Sequence, residues 1–175
     1  VLHGVPPTGK HISAFHVIDG QQRLTTLQLF LGALGAVAAH LDVRQAVDIA
    51  ESWTCNRYPL VDKDVERWKV WPTRKDQEQY LKAMSAKSRE VLAKEFPDRD
   101  PKDRRRKLKR PLMVAAWIYF YDAISSWVGK GDAGDEAVGE RVLGLITALK
   151  NGLELVRIDL TEQENPQTIF ETLNA

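Results

Sequence analysis

Apolar positions in this chain cluster into long helical stretches, parted by short polar or proline-bearing breaks. Leu24, Leu27, Leu31, Leu34, Ala38 and Leu41 recur at three- and four-residue steps, the period of one buried helical face. The spacing predicts a helix over 21–41. Gly32 and Gly35 lie inside it and cost helix stability, which makes sense where another element packs closely. A shorter helix is expected over 42–53. Residues 75–86 read as helix with Tyr80, Leu81 and Met84 on one side, and 87–96 continue helically. Over 111–128, Leu112, Ala115, Ala116, Tyr119, Phe120, Ala123, Ile124 and Trp127 form a wide apolar stripe, and Pro111 suits a first-turn position. Val138, Val142, Leu145 and Leu149 are in phase across 135–150, and Asn151-Gly152 ends that helix.

Strands are few. Residues 14–18 are apolar and partly β-branched, and Asp19-Gly20 breaks them. Residues 65–71 read as a short strand stopped by Pro72. Residues 153–160 read as another, with Val156, Ile158 and Leu160 on one face. Pro166 opens a last short helix over 167–173. Gly4, Pro6, Pro7, Thr8 and Gly9 give 1–13 the chemistry of a loop. Residues 55–64 are irregular, and 97–101 break the chain before a basic run to Arg110. The fold class expected is α+β, mainly helical.

A length of 175 residues favours one domain with one core. The chain opens at Val1 and stops at Ala175 inside what reads as an unfinished element, so a single domain that is an internal fragment, truncated at both ends, is expected. Hydrophobic residues make up 43% and charged residues 28%, ordinary for a globular protein. The net charge is +1, so nucleic-acid binding would have to come from a local patch. Cys55 is the sole cysteine. No intrachain disulfide can form, which fits a reducing cytosol, and a small buried hydrophobe is a better reading of it than a nucleophile. The apolar stretch 111–121 is shorter than the roughly 20 residues of a membrane span, and no signal peptide is visible. A cytoplasmic protein without membrane contact is expected.

Chemistry concentrates at 17–27, Val-Ile-Asp-Gly-Gln-Gln-Arg-Leu-Thr-Thr-Leu. Strand, tight turn and helix meet at Asp19. One reading is structural: Asp19 caps the helix and Gln22, three residues on, completes a capping box. The other uses the same place as a phosphate seat, since a helix start offers free N–H groups and a partial positive charge. Gly20 lets a ligand approach the backbone. Gln21 and Gln22 supply amides, Arg23 can grip a phosphate through two parallel hydrogen bonds, and Thr25 and Thr26 add hydroxyls. Capping has no use for Arg23.

The Asp19-Gly20-Gln21-Gln22-Arg23 core, with its flanking Val17-Ile18 and Leu24-Thr25-Thr26-Leu27, resembles the signature of the N-terminal domain of GmrSD-type restriction endonucleases. Ile169-Phe170-Glu171-Thr172-Leu173-Asn174 resembles that family's Phe-Glu-x-Leu-Asn segment. The resemblance implies a small ParB/sulfiredoxin-like strand-turn-helix core carrying a helical-bundle insertion. It implies a module that binds and hydrolyses a nucleoside triphosphate with Mg²⁺, coupled to cleavage of modified or foreign DNA by a C-terminal nuclease domain or partner subunit. Carried over by position, Asp19, Gln21, Gln22 and Arg23 would be catalytic. Gly20, Thr25, Glu171 and Asn174 would bind nucleotide. Arg23 would stabilise the transferring phosphoryl group, Gln21 or Gln22 would orient water, and Asp19 would hold Mg²⁺ through water or simply cap. No Walker A loop is present. The alternative is a non-hydrolytic DNA-binding or modification-sensing domain.

Arg104, Arg105, Arg106, Lys107, Lys109 and Arg110 make the basic run. They read either as a nucleic-acid contact or as a solvated segment tempered by Asp98, Asp100 and Asp103. Aromatics are not interleaved, which argues against base stacking. His3, His11, His16 and His40 show no metal spacing, so no protein-bound metal site is expected. Asp159, Glu162, Glu164 and Glu171 are better explained by a polar turn and a helix start than by a metal. Trp53, Trp68, Trp71, Trp117 and Trp127 are expected in or against the core.

Overall fold

A computed structural model describes the chain except for residues 1, 5–11, 58–59, 61, 130–133, 161–167, 169–170 and 172–175, and gives only the backbone of 2–4, 65, 135 and 160. The described residues are mainly helical, with a small sheet. Helix α1, Gln21–His40, is the centre of the packing. Around it lie α2 (Arg44–Thr54), α4 (Gln77–Met84) and α6 (Leu112–Val128). With three neighbours, α1 is covered on more than the one face its leucine spacing predicts: Leu29, Ala33, Leu34, Val37 and Ala38 are all buried. Gly32 and Gly35 mark the close approaches. A Cβ at Gly32 would stand 3.0 Å from the Met84 sulfur, and one at Gly35 would stand 3.3 Å from the Ala50 methyl.

Residues 65–71 do not form the expected strand. Instead Lys63–Glu66 is a helical turn, α3. Glu66 N–H donates to the Asp62 carbonyl (2.7 Å), and Asp62 N–H donates to the Glu66 carboxylate (3.2 Å). Among the described residues, that closed turn leaves one bridge to the end of α2, between Cys55 and Trp68. Trp68 is buried edge-on to Tyr80, and burial pushes the Tyr80 phenol pKa up. A 3-10 turn, Arg74–Asp76, leads into α4, and α5 spans Arg89–Glu95. The Ser88 hydroxyl caps α5 by accepting from Val91 N–H at 3.4 Å.

The apolar stripe expected on α6 is inward only in part: Ile124 is buried and Ala116 and Phe120 pack partly buried against the core, whereas Leu112, Tyr119, Ala123 and Trp127 are exposed. The buried residues are Val114, Trp117, Ile118, Tyr121, Ile124 and Val128, of which the predicted stripe contains only Ile124. Leu112 and Tyr119 are 77% and 68% exposed. The helix is apolar nearly all round, so periodicity cannot choose a face. Packing chooses the Trp117 side, where Trp117 stacks on Tyr121 with ring centroids 5.4 Å apart. Helix α7, Asp135–Gly152, buries Val142 and Ile146, while Val138, Leu145 and Leu149 pack partly buried against the core, as their phase predicts.

The sheet has the order β2-β1-β3. Its central strand, β1 (Leu2–Gly4), falls where sequence chemistry predicts a loop. It pairs antiparallel with β2 (Phe15–Val17) and parallel with β3 (Asp159–Leu160). These are long-range pairings that local turn chemistry does not register. The strand expected over 153–160 is confined to Asp159–Leu160, because β3 extends only where it meets Leu2 and His3. Residues 153–158 are exposed and irregular. Of the expected helix over 167–173, Thr168 and Glu171 are described as helical, and the rest lies outside the described residues.

Candidate phosphate seat at the start of the central helix

Strand β2 ends at Val17 and α1 begins at Gln21. The turn between them depends on Gly20, whose φ of 94° is left-handed, a region open to glycine at little cost. Crowding is not the reason for glycine, since the nearest atoms to an added Cβ are Arg23 nitrogens at 3.8 and 3.9 Å. Gly20 itself occupies the cap position, and its carbonyl accepts from Leu24 N–H at 2.9 Å. The capping box of Asp19 with Gln22 is therefore not formed: the left-handed turn shifts the cap one residue, onto a side chain that has no oxygen.

Asp19 instead reaches along the helix. Its Oδ2 accepts from Arg23 Nη2 at 2.8 Å, an i,i+4 ion pair spanning Gly20. The Arg23 side chain is 78% exposed, so the pair adds little stability. It does fix where the guanidinium sits, while most of its five N–H donors stay open to solvent. Gln21 Nε2 donates to the Val17 carbonyl at 2.8 Å, tying helix start to strand end. Gln22 is exposed, as is Thr26, whereas Thr25 is 8% exposed and faces the packed side. The first turn of α1 carries no acid, so Asp19, one residue before the cap and paired with Arg23, is the nearest negative charge to the positive end of the helix dipole.

The structure thus brings Asp19, Gly20, Gln21, Gln22 and Arg23 together. Glu171 is exposed, and Asn174 lies outside the described residues. Arg157 was not legible as a neighbour of this end of the sheet. Val17 and Asp159 both register against Leu2. Arg157 Nε donates to Asp159 at 2.6 Å, and its guanidinium lies 4.5 Å over the Phe15 ring. Only the pairing of β1 with both other strands reveals this.

The basic run is separate. It forms a turn closed by a bridge between Arg99 and Lys107, with Leu108 N–H donating to the Asp98 carbonyl at 2.8 Å. Two adjoining hollows beside α1, α2 and α4, of about 830 and 400 Å³, share Glu51, Cys55, Arg67, Trp68 and Ser85 and contain none of residues 19–23. Cys55 is half-buried against the core. Among the described residues, no three His, Cys, Asp or Glu side chains are grouped to hold a metal ion, and no helix is long and apolar enough to cross a membrane.

No curated protein and no solved structure matches the chain. The family model of the GmrSD restriction endonuclease N-terminal domain matches residues 2–175. The chain, with its Asp-Gly-Gln-Gln-Arg turn at the head of the central helix, belongs to that family.

Proposed function

We propose that this restriction-system module binds and hydrolyses a nucleoside triphosphate at the start of α1. The observation that carries the reading is the Arg23 guanidinium, held by Asp19 across Gly20 beside a helix start without first-turn acids. Phosphate oxygens take the free N–H groups of the first turn, and Arg23 grips them through its remaining donors. As water attacks the γ-phosphorus, the bond to the β–γ bridging oxygen breaks. Diphosphate nucleotide and inorganic phosphate leave, and the proton of the water passes to solvent. Arg23 offsets charge on the transferring phosphoryl group. The Gln21 amide nitrogen is committed to Val17, so Gln22 is the better residue to orient the water.

Magnesium fits here only as an ion carried by the triphosphate. Asp19 is the single carboxylate in 19–23, and its Oδ2 is engaged by Arg23. Mg²⁺ commonly keeps several waters and uses one or two carboxylates together with substrate phosphates. DNA is the proposed substrate of the assembled system, with cutting placed in a nuclease domain or partner subunit.

Titration with fluorescent triphosphates and phosphate-release assays test the seat. Arg23→Ala is expected to abolish binding and release while leaving the unfolding midpoint in place. A variant that retains both affinity and turnover would overturn the assignment.

A further inference from the structure

We propose that the turn over 98–109 is a docking surface for the phosphate backbone of duplex DNA, lying apart from the nucleotide seat and independent of it. In sequence, three aspartates accompany the basic run and lower its net charge. In space they are already engaged. Asp100 Oδ1 accepts from Lys102 N–H at 2.8 Å, and its Oδ2 is 3.7 Å from Arg106. Asp103 Oδ1 accepts from Arg105 N–H at 3.0 Å. Asp98 is 3.8 Å from Arg110, whose Nε donates to the Phe96 carbonyl at 2.6 Å and whose side chain is only 19% exposed. The run therefore divides. Arg106 and Arg110 hold the turn together. Arg104, Arg105, Lys107 and Lys109 are exposed, and no hydrogen bond or ion pair of their side chains occurs among the described residues.

Four adjacent unpaired cations repel one another, and a polyanion relieves that repulsion. The turn is hydrogen-bonded across its width, with Asp100 N–H donating to the Arg106 carbonyl at 2.9 Å, so little backbone freedom is lost on binding. Residues 98–110 contain no aromatic side chain, so the contact reads backbone charge rather than stacked bases. A membrane surface fits less well, because the segment offers Leu108 as its only large apolar side chain and interfacial anchoring needs an apolar face. The whole chain has a net charge of +1, so the attraction is local and screened within about 10 Å at ordinary salt.

Fluorescence anisotropy of the full chain with a labelled 20-bp duplex, across a salt series, tests the surface. Four phosphate contacts give a slope of log K against log salt near −3.6, or roughly 150-fold weaker binding between 50 and 200 mM. The quadruple variant Arg104→Ala, Arg105→Ala, Lys107→Ala, Lys109→Ala is expected to lose most of that slope with an unchanged unfolding midpoint. Arg23→Ala is expected to keep it in full, which separates this surface from the nucleotide seat. An unaltered slope in the quadruple variant would overturn the proposal. So would binding to phosphatidylserine vesicles without measurable affinity for the duplex at 50 mM salt.

Discussion

Helices α1 and α6 are the two most apolar helices of the molecule and pack against each other, yet they are buried in different ways. α1 is surrounded, so nearly every residue from Gln28 to Ala38 is buried or half-buried. α6 is covered on one side, and Leu112, Tyr119 and Trp127 face outward. The contrast shows that apolar content sets how much a helix can bury, while the arrangement of its neighbours, not their number, sets how much it does bury: α6 touches α1, α4, α5 and α7 and still keeps an open face. On α6 the choice falls to side-chain shape. Trp117 and Tyr121 stack and fill the contact with α1, and the outward face keeps surplus apolar surface.

Trp117→Ala should separate the two faces of α6 most sharply. Trp117 is fully buried, so urea unfolding should show a loss of about 3–5 kcal/mol. A loss below about 1 kcal/mol would mean that the inward face is misassigned. Next in size is a glycine pair that measures crowding around α1 against open surface. Gly35→Ala drives a methyl to within 3.3 Å of the Ala50 methyl, which cannot swing away, and overpacking of about 1–3 kcal/mol outweighs the gain in helix propensity. Gly144→Ala on α7 meets open space and should stabilise by about 0.4–1 kcal/mol. Equal signs for the two changes would erase the distinction. Leu112→Ser with Tyr119→Ser, on the outward face of α6, should stay within about 0.5 kcal/mol of the parent.

The smallest effect is expected at α5, which packs on α6. Its Glu90 carboxyl is held below the usual range, first by a hydrogen bond with its own backbone amide and then by Ser88. A lowered folded-state pKa contributes stability above the ordinary carboxylate value and loses it as pH falls through the lowered one. Glu90→Gln should therefore lower the neutral-pH unfolding midpoint slightly, leave the midpoint at low pH nearly unchanged, and so flatten the decline between them.

Helices were legible because their periods are local. The helix expected over 21–41 is Gln21–His40, and the one over 42–53 is Arg44–Thr54. What local pattern could not supply was any choice made between distant residues. The buried face of α6, the single bridge in place of a strand at Trp68, and the partnership of Leu2 with both Val17 and Asp159 are all of that kind. At the seat, the phosphate-competent residues could be named from their types. The Asp19–Arg23 pair could not, because it follows from the positive φ of Gly20, which moves the cap off Asp19. At the basic turn, sequence gave the charges but not their pairing, so it could not tell Arg110, held by Phe96 and Asp98, from Arg104.

The order of strands in the small sheet has a kinetic consequence. β1 joins Phe15–Val17 on one side to Asp159–Leu160 on the other, and the second pairing closes a loop through the whole helical body. Long loops cost more entropy to close, and contacts distant in sequence slow folding. The helices, built on neighbours three and four residues apart, can form and dock first. The ladder that backs the turn at Gly20 is then completed late, once the helical body has already brought the chain around. Amide exchange started at intervals during refolding should show the Asp159–Leu160 strand acquiring protection after Leu34.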